Sequence, residues 1–407
     1  SRIMKNKLSK LGPGLLFAGA AIGVSHLVQS TRAGADFGWG FIWALILVNL
    51  FKYPFFQYGP RFTVATNTSL LDGYYKLGKG YLRAYFVLNI ATMFTIQTAV
   101  TIVTAGLASQ IFGVSDNLVY WSVTITLICT LILWVGKYAT LDRIVKWVIL
   151  TLTITTIVAV VLASIKNTTP LSLVQVFPAE TNLLFLIAFM GWMPAPMDIS
   201  IWHSLWTIEK NKELGSEVTM KESLFDFNVG YWVTLILGAC FMGLGVFVMF
   251  GTGTEFSSQG GVFASQLINL YTSTLGTGVY LLIAIAALTT MFSTTITTLD
   301  ASPRAMSKTI ELLYPKRKRN DYKLWLLILA GGTISIFVFL LSEMGLLIRI
   351  ATVLSFITAP FYAFLNFKLV RSDQMPEKDK PGKGLQILSV LGLLFLTSFA
   401  VGYLLIL

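Results

Sequence analysis

The sequence predicts an all-α polytopic membrane protein of about eleven transmembrane helices arranged as a five-plus-five inverted repeat. Composition, the length of the apolar blocks and the placement of basic residues between them carry that prediction. Of 407 residues, 55% are hydrophobic and 12% charged, with a mean hydropathy of +0.73. Soluble domains carry about 25% charged residues, so a water-soluble fold is excluded. The apolar blocks run to about 20 residues, the length a helix needs to cross roughly 30 Å of hydrocarbon. Backbone groups in lipid must bond internally, which leaves helices or closed barrels, and the alternation that marks barrel strands is absent.

Apolar length and flanking charge place the spans at 13–35, 38–58, 84–112, 117–136, 144–165, 182–206, 226–250, 276–300, 323–341, 345–367 and 384–407. Basic residues then alternate from loop to loop. The tail holds Arg2, Lys5, Lys7 and Lys10, and the second-to-third loop holds Arg61, Lys76, Lys79 and Arg83. Lys137, Arg143 and Lys146 follow between spans four and five, and Lys210, Lys212 and Lys221 between six and seven. Arg304, Lys308, Lys316 to Arg319 and Lys323 link spans eight and nine; Lys368, Arg371, Lys378, Lys380 and Lys383 link ten and eleven. Of the 30 basic residues, only Arg32, Lys52, Lys166 and Arg349 fall elsewhere.

By the positive-inside rule the amino terminus is cytoplasmic and the carboxyl terminus outside, in a cell inner membrane. The net charge of +11 is therefore topology, with no nucleic-acid partner implied. The run 316–319 reads as a solvated loop, with membrane lipid headgroups as its alternative contact. Spans one to five and six to ten start on opposite sides, which divides the chain into a first repeat (1–165), a second (166–368), and a loop with helix eleven (369–407). Cys129 and Cys240 sit in apolar blocks as packing residues, and no removable signal peptide is read after the basic tail. Oligomeric state is not encoded in these features.

Inverted-repeat transporters bind their solute where the first helix of each repeat is interrupted. Span one carries Gly19, Gly23 and Ser25 before His26; span six carries Gly191-Trp-Met-Pro-Ala-Pro-Met-Asp198, whose Pro194 and Pro196 remove two backbone donors. Among 19 acidic residues, Asp198 alone reads as well inside a span, where a carboxylate costs about 2.5–3.5 kcal/mol. The two histidines, His26 and His203, lie in the same interrupted helices. The functional reading is a midplane site in which Asp198, carbonyls near Gly23 and Pro194, and His26 hold a cation or a substrate amine. The alternative is structural, with Asp198 capping the helix that restarts after Pro196.

Met193 and Met197 are either soft metal ligands or apolar filler. Gln97 faces the cavity or makes an interhelical hydrogen bond. Asp300 and Arg304, at i,i+4 spacing, form an inner gate with His203 as a coupling group, or an exposed pair of little worth. Arg349 reads as a snorkelling cation. No Walker loop, dinucleotide fingerprint or HExxH motif occurs, so ATP-driven pumping, proteolysis and other enzyme chemistry lack support, and no cofactor is expected.

The run Gly12 to His26 (GPGLLFAGAAIGVSH), continued by Ala33 to Trp39 (AGADFGW), resembles the first helix of the Nramp divalent-metal transporter family. Tyr58 to Gly73 and His203-Ser204 are similar as well. The resemblance implies the leucine-transporter-type fold with interrupted helices one and six, and alternating access. It also shows departures. Gly23-Val-Ser-His26 stands where the family has Asp-Pro-Gly-Asn, Pro196-Met197-Asp198 where it has Met-Pro-His, and Gln97 and Val100 where it has an acidic pair.

The resemblance thus implies a secondary transporter of a divalent cation of the manganese, iron or magnesium class, with altered selectivity and without the usual proton route. A partly hydrated ion suits a single carboxylate. The alternatives are a carrier of a small organic solute such as an amino acid, and a membrane sensor that keeps the scaffold without transport.

Overall fold

The structure, a computed structural model, describes residues 11–257, 260–317 and 319–406. The basic tail, with Arg2, Lys5, Lys7 and Lys10, and Lys318 lie outside the described residues. Among the described residues every regular element is helical. Span one is α1 (Pro13–Ala21), a π-helical turn (Ser25–Ser30) and α2 (Thr31–Phe37), bent by 51° at the interruption. After it come α3 (Ile42–Thr66), the short α4 (Leu70–Leu77), α5 (Lys79–Phe112), α6 (Leu118–Val135) and α7 (Tyr138–Lys166). Span six is likewise in two pieces, α8 (Leu183–Trp192) and α9 (Ile199–Leu214). The chain continues as α10 (Met220–Leu244), α11 (Gly260–Leu275), α12 (Tyr280–Leu313), α13 (Tyr322–Phe339), α14 (Met344–Arg371) and α15 (Lys383–Ile406).

Among the described residues eight helices are long and apolar enough to cross a membrane singly, and nine if the bent pair of span one is counted. The second and sixth predicted places are taken by α3 and by the pair α8 and α9, which do not qualify on length and hydropathy alone. Two helices lie outside the predicted spans, α4 and α11. The first starts at a capping box in which Ser69 and Asp72 satisfy each other's backbone amides, and α10 starts at another, Thr219 with Glu222.

The most apolar window of α5 is 67% buried against 28% in α6, α7, α13 and α15. Thus α5 is a central helix, and those four turn side chains such as Leu131, Trp147, Leu327 and Leu394 outward, as lipid-facing helices do. Spans one and seven approach backbone to backbone at both ends. A Cβ on Gly14 would stand 2.1 Å from the Asp226 carbonyl oxygen and one on Gly230 2.0 Å from that of Gly14; Gly34 and Gly245 repeat the pattern against Met242 and Thr31. Small residues at such crossings let helices dock closely in lipid.

The basic loops are tied to one another. Arg61 donates to the Asp379 carbonyl, Lys308 pairs with Asp72, Lys210 with Asp142, and Asn67 donates to Glu217. All five described basic loops thereby share one end of the bundle. Arg32 reaches the Ser257 carbonyl and Lys166 that of Leu275, away from this cluster.

Candidate functional site

At the first interruption the helix stops at Ala21 and restarts at Ser25. The freed carbonyls are taken up by span eight: Thr294 donates to Ile22 (2.7 Å) and Gly19 (3.1 Å), and Ser293 donates to Gly19 (3.2 Å). The Gly23 carbonyl accepts the amides of His26 and Leu27. Glycine is required at position 23, because a Cβ there would lie 2.3 Å from Thr294 Oγ1.

The second interruption follows from proline chemistry. An α-helix joins each N–H to the carbonyl four residues back, so Pro194 strips Met190 of its partner and Pro196 strips Trp192. The chain then runs irregularly, with a cis Met193–Pro194 bond, until α9 begins at Ile199.

Between the two interruptions lies a cavity of about 30 Å³, lined by Gly23 and Ser25 from span one, Trp192, Pro196 and Trp202 from span six, and Thr294 and Thr298 from span eight, with Ile96 and Val100 of α5 closing one side. One water needs about 10–15 Å³ of such space, so this room holds about two. Its walls are almost wholly buried.

Asp198 is not among the side chains lining that cavity. It occupies the cap position of α9 without making a side-chain cap bond, so the capping alternative does not hold. The carboxylate is buried, without an ion-pair partner among the described residues, and lies within electrostatic reach of the phenols of Tyr74, Tyr85 and Tyr362. Among the described residues the Tyr85 hydroxyl has no hydrogen-bond partner, and Tyr74 donates to Asn366.

His26 is fully buried, with Nε2 donating to the Thr234 carbonyl (2.9 Å) and Nδ1 against the Ser25 hydroxyl (2.8 Å). Both nitrogens are thus engaged: Nε2 ties span one to span seven, and Nδ1 is held within span one. His203 sits apart, its ring between Phe17 and Phe227, each at 5.8 Å, and neither nitrogen has a hydrogen-bond partner among the described residues. An unsatisfied buried imidazole is a standing cost of about 1–3 kcal/mol. His203→Leu is therefore expected to raise the unfolding midpoint of the purified protein, by the equivalent of about 1 kcal/mol, in a thermal melt.

Met193 and Met197 are buried in apolar clusters. Gln97 joins α5 to α12, donating to the Thr295 carbonyl (3.1 Å) and accepting from Thr298 (2.6 Å). The exposed-pair reading of Asp300 and Arg304 does not hold, for Asp300 is 1% exposed. Its carboxylate accepts from Arg304 (2.7 and 3.1 Å), Trp206 Nε1 (2.9 Å) and the Tyr322 hydroxyl (2.6 Å). This knot joins α9, α12 and α13 beside a vestibule of about 430 Å³ at the end that carries the basic loops.

Two residues escaped the sequence reading. Asp226 is buried in α10 and accepts the amides of Gly12 (3.1 Å) and Gly14 (2.7 Å), capping the start of span one. Lys52, fully buried in α3, donates to the carbonyls of Met190 (2.7 Å), Gly191 (3.2 Å), Met193 (3.0 Å) and Ala195 (3.4 Å), the oxygens that the second interruption sets free. The signal for Lys52 was present: an ionisable residue inside a span demands a partner. Among the described residues no group of three or more His, Cys, Asp or Glu side chains is placed to hold a metal ion.

The model of one family, described as natural resistance-associated macrophage protein-like (Nramp), matches residues 14–406. An uncharacterized protein of Pasteurella multocida (strain Pm70) is 36% identical over 403 residues, covering 97% of this chain and 91% of its own length. Among solved structures, a manganese transporter of Eremococcus coleocola, in complex with an aromatic bis-isothiourea compound, superposes with a TM-score of 0.72 at 16% identity, over 98% of this chain and 86% of the other. A nucleobase-cation-symport-1 family transporter with bound bromovinylhydantoin gives 0.62 at 12% identity, over 97% and 92%. The leucine-transporter-type fold with interrupted first and sixth helices is thus shared with both.

Proposed function

This chain belongs to the Nramp family of membrane metal-ion transporters, and from that membership we propose that it moves a divalent cation of the manganese, iron or magnesium class by alternating access. The observation that carries the reading is the cavity between the two interruptions, the point where the two halves of the repeat meet. In the loaded conformer the room widens. The ion retains part of its water shell and meets the hydroxyls of Ser25, Thr294 and Thr298, while Asp198 supplies the compensating charge. Met197 and His26 serve as packing and as a brace in this reading.

Partial hydration follows from the donor set. Hard cations take oxygen ligands and magnesium keeps several waters, which suits a site with one carboxylate and several hydroxyls. Gln97 and Val100 offer no titratable group, so the cycle runs without the family's proton route. The amino terminus faces the cytoplasm of a cell inner membrane, the carboxyl terminus faces out, and the Asp300 knot closes the inner side.

Flux of Mn²⁺ and Mg²⁺ into proteoliposomes tests this reading. Asp198→Asn keeps the shape and removes the charge, and is expected to lower uptake by about tenfold to a hundredfold, the worth of one charge-assisted contact. Undiminished uptake in that variant removes Asp198 from the mechanism. Silence toward both ions, with uptake of an amino acid instead, favours the organic-solute reading, to which the largely apolar cavity lining lends itself.

A further inference from the structure

Four backbone carbonyls converging on one nitrogen are a cation site in all but the identity of the occupant. We infer that the carbonyl ring of Met190, Gly191, Met193 and Ala195 is a monovalent-cation site whose resident ion is the tethered ammonium of Lys52, and that removing this side chain opens it to a free potassium- or ammonium-sized cation.

The chemistry is that of carbonyl-lined ion sites, in which backbone oxygens replace the hydration shell of a cation. The oxygens here lie 2.7–3.4 Å from the nitrogen. Pro194 denies the Met190 oxygen its helical partner, and the other three belong to residues at or beyond the end of α8, where span six leaves the helix until Ile199. Lys52 is held by α3 as part of the fold, with no exposed surface. Among the described residues no carboxylate pairs with it, and the four carbonyl oxygens stand in for its hydration shell. An ammonium has three donors. With four oxygens in range, one hydrogen is shared, as in a coordinated ion rather than in a set of discrete bonds. The consequence is that span six is held in its interrupted form without an ion drawn from solution, and that this position contributes no coupling cation to the transport cycle.

The test compares unfolding midpoints of the full-length protein, purified in detergent at constant ionic strength in choline, sodium, potassium, ammonium or ethylammonium chloride. The wild type is expected to melt at the same temperature in all five. Lys52→Ala is expected to melt lower in choline and to recover about half or more of the loss, saturably, in potassium, ammonium or ethylammonium, as binding to the folded state alone requires. Lys52→Met, which refills the volume without charge, is expected to melt lower with no recovery.

Lys52→Ser, with a small hydroxyl at the same place, is the second shortened variant. Should both shortened variants fold only when prepared in one of the small cations, the inference stands. It is overturned if neither folds in any of them, if their midpoints do not depend on the cation, or if Lys52→Met and the wild type respond as the shortened variants do. None of these outcomes depends on which ion the protein carries, so failure here is distinct from failure of the transport reading.

Discussion

Asp300→Ala is expected to destabilise the protein by about 3–5 kcal/mol, the usual cost of leaving one partner of a buried ion pair alone. The wild-type carboxylate is buried and accepts four hydrogen bonds from three side chains, two of them from the Arg304 guanidinium. Without it, Arg304 keeps Glu209 at 3.7 Å and the face of the Tyr322 ring at 5.0 Å, and the Tyr322 hydroxyl and Trp206 indole lose their acceptor. The side chain of Arg304 is 18% exposed, so water offers little relief. Asp300→Asn retains one acceptor oxygen and should cost less than half as much. The order wild type, Asn, Ala in thermal unfolding checks the argument. The double variant Asp300→Ala with Arg304→Met should be more stable than Asp300→Ala alone, because it also removes the stranded cation.

The second large effect is steric. Gly230→Val is expected to cost about 3 kcal/mol or more, at or beyond the upper end of ordinary overpacking. The atom in the way is a backbone oxygen that has no rotamer to escape into. A Cβ at 230 would lie 2.0 Å from the Gly14 oxygen, and relief by moving span one would pull the Gly12 and Gly14 amides off Asp226. Yield of monodisperse protein and its melting temperature measure this. Gly331→Val, where nothing stands within 4 Å of a built Cβ, is the control and should behave almost as wild type.

Most of the architecture was legible in the sequence because its causes are local. Apolar block length marked most helices, and Pro194 with Pro196 marked the second interruption, since missing amides act on residues four positions back. Alternation of basic loops was a property of composition, and the contacts of Arg61, Lys308 and Lys210 now gather those loops at one end. The helix α4 was missed although Ser69 and Asp72 spell a cap, because eight residues do not form an apolar block.

The site was less legible. Its polar contacts join residues far apart in the chain, and no pattern within a helix tells which side chain meets which carbonyl. Lys52 meets oxygens 138 to 143 positions away, and Asp226 caps amides 212 and 214 positions away. Asp198 was found by its isolation, but its neighbours Tyr74, Tyr85 and Tyr362 come from three other helices and looked like ordinary aromatic residues. His26 and His203 looked alike in sequence, yet one is fully bonded and the other has no hydrogen-bond partner among the described residues.

The central claim is that solute passes between the two interruptions, through a room that opens to each side in turn. Thr298→Cys, in a background with Cys129 and Cys240 replaced by alanine, places one thiol on that room. Its labelling by a membrane-impermeant methanethiosulfonate, applied from either face of oriented proteoliposomes, is the most direct measurement. The account predicts modification from both faces, slowed by Mn²⁺ or Mg²⁺, whichever the protein transports. A thiol that stays unreactive from both faces while the protein carries out full transport would contradict it.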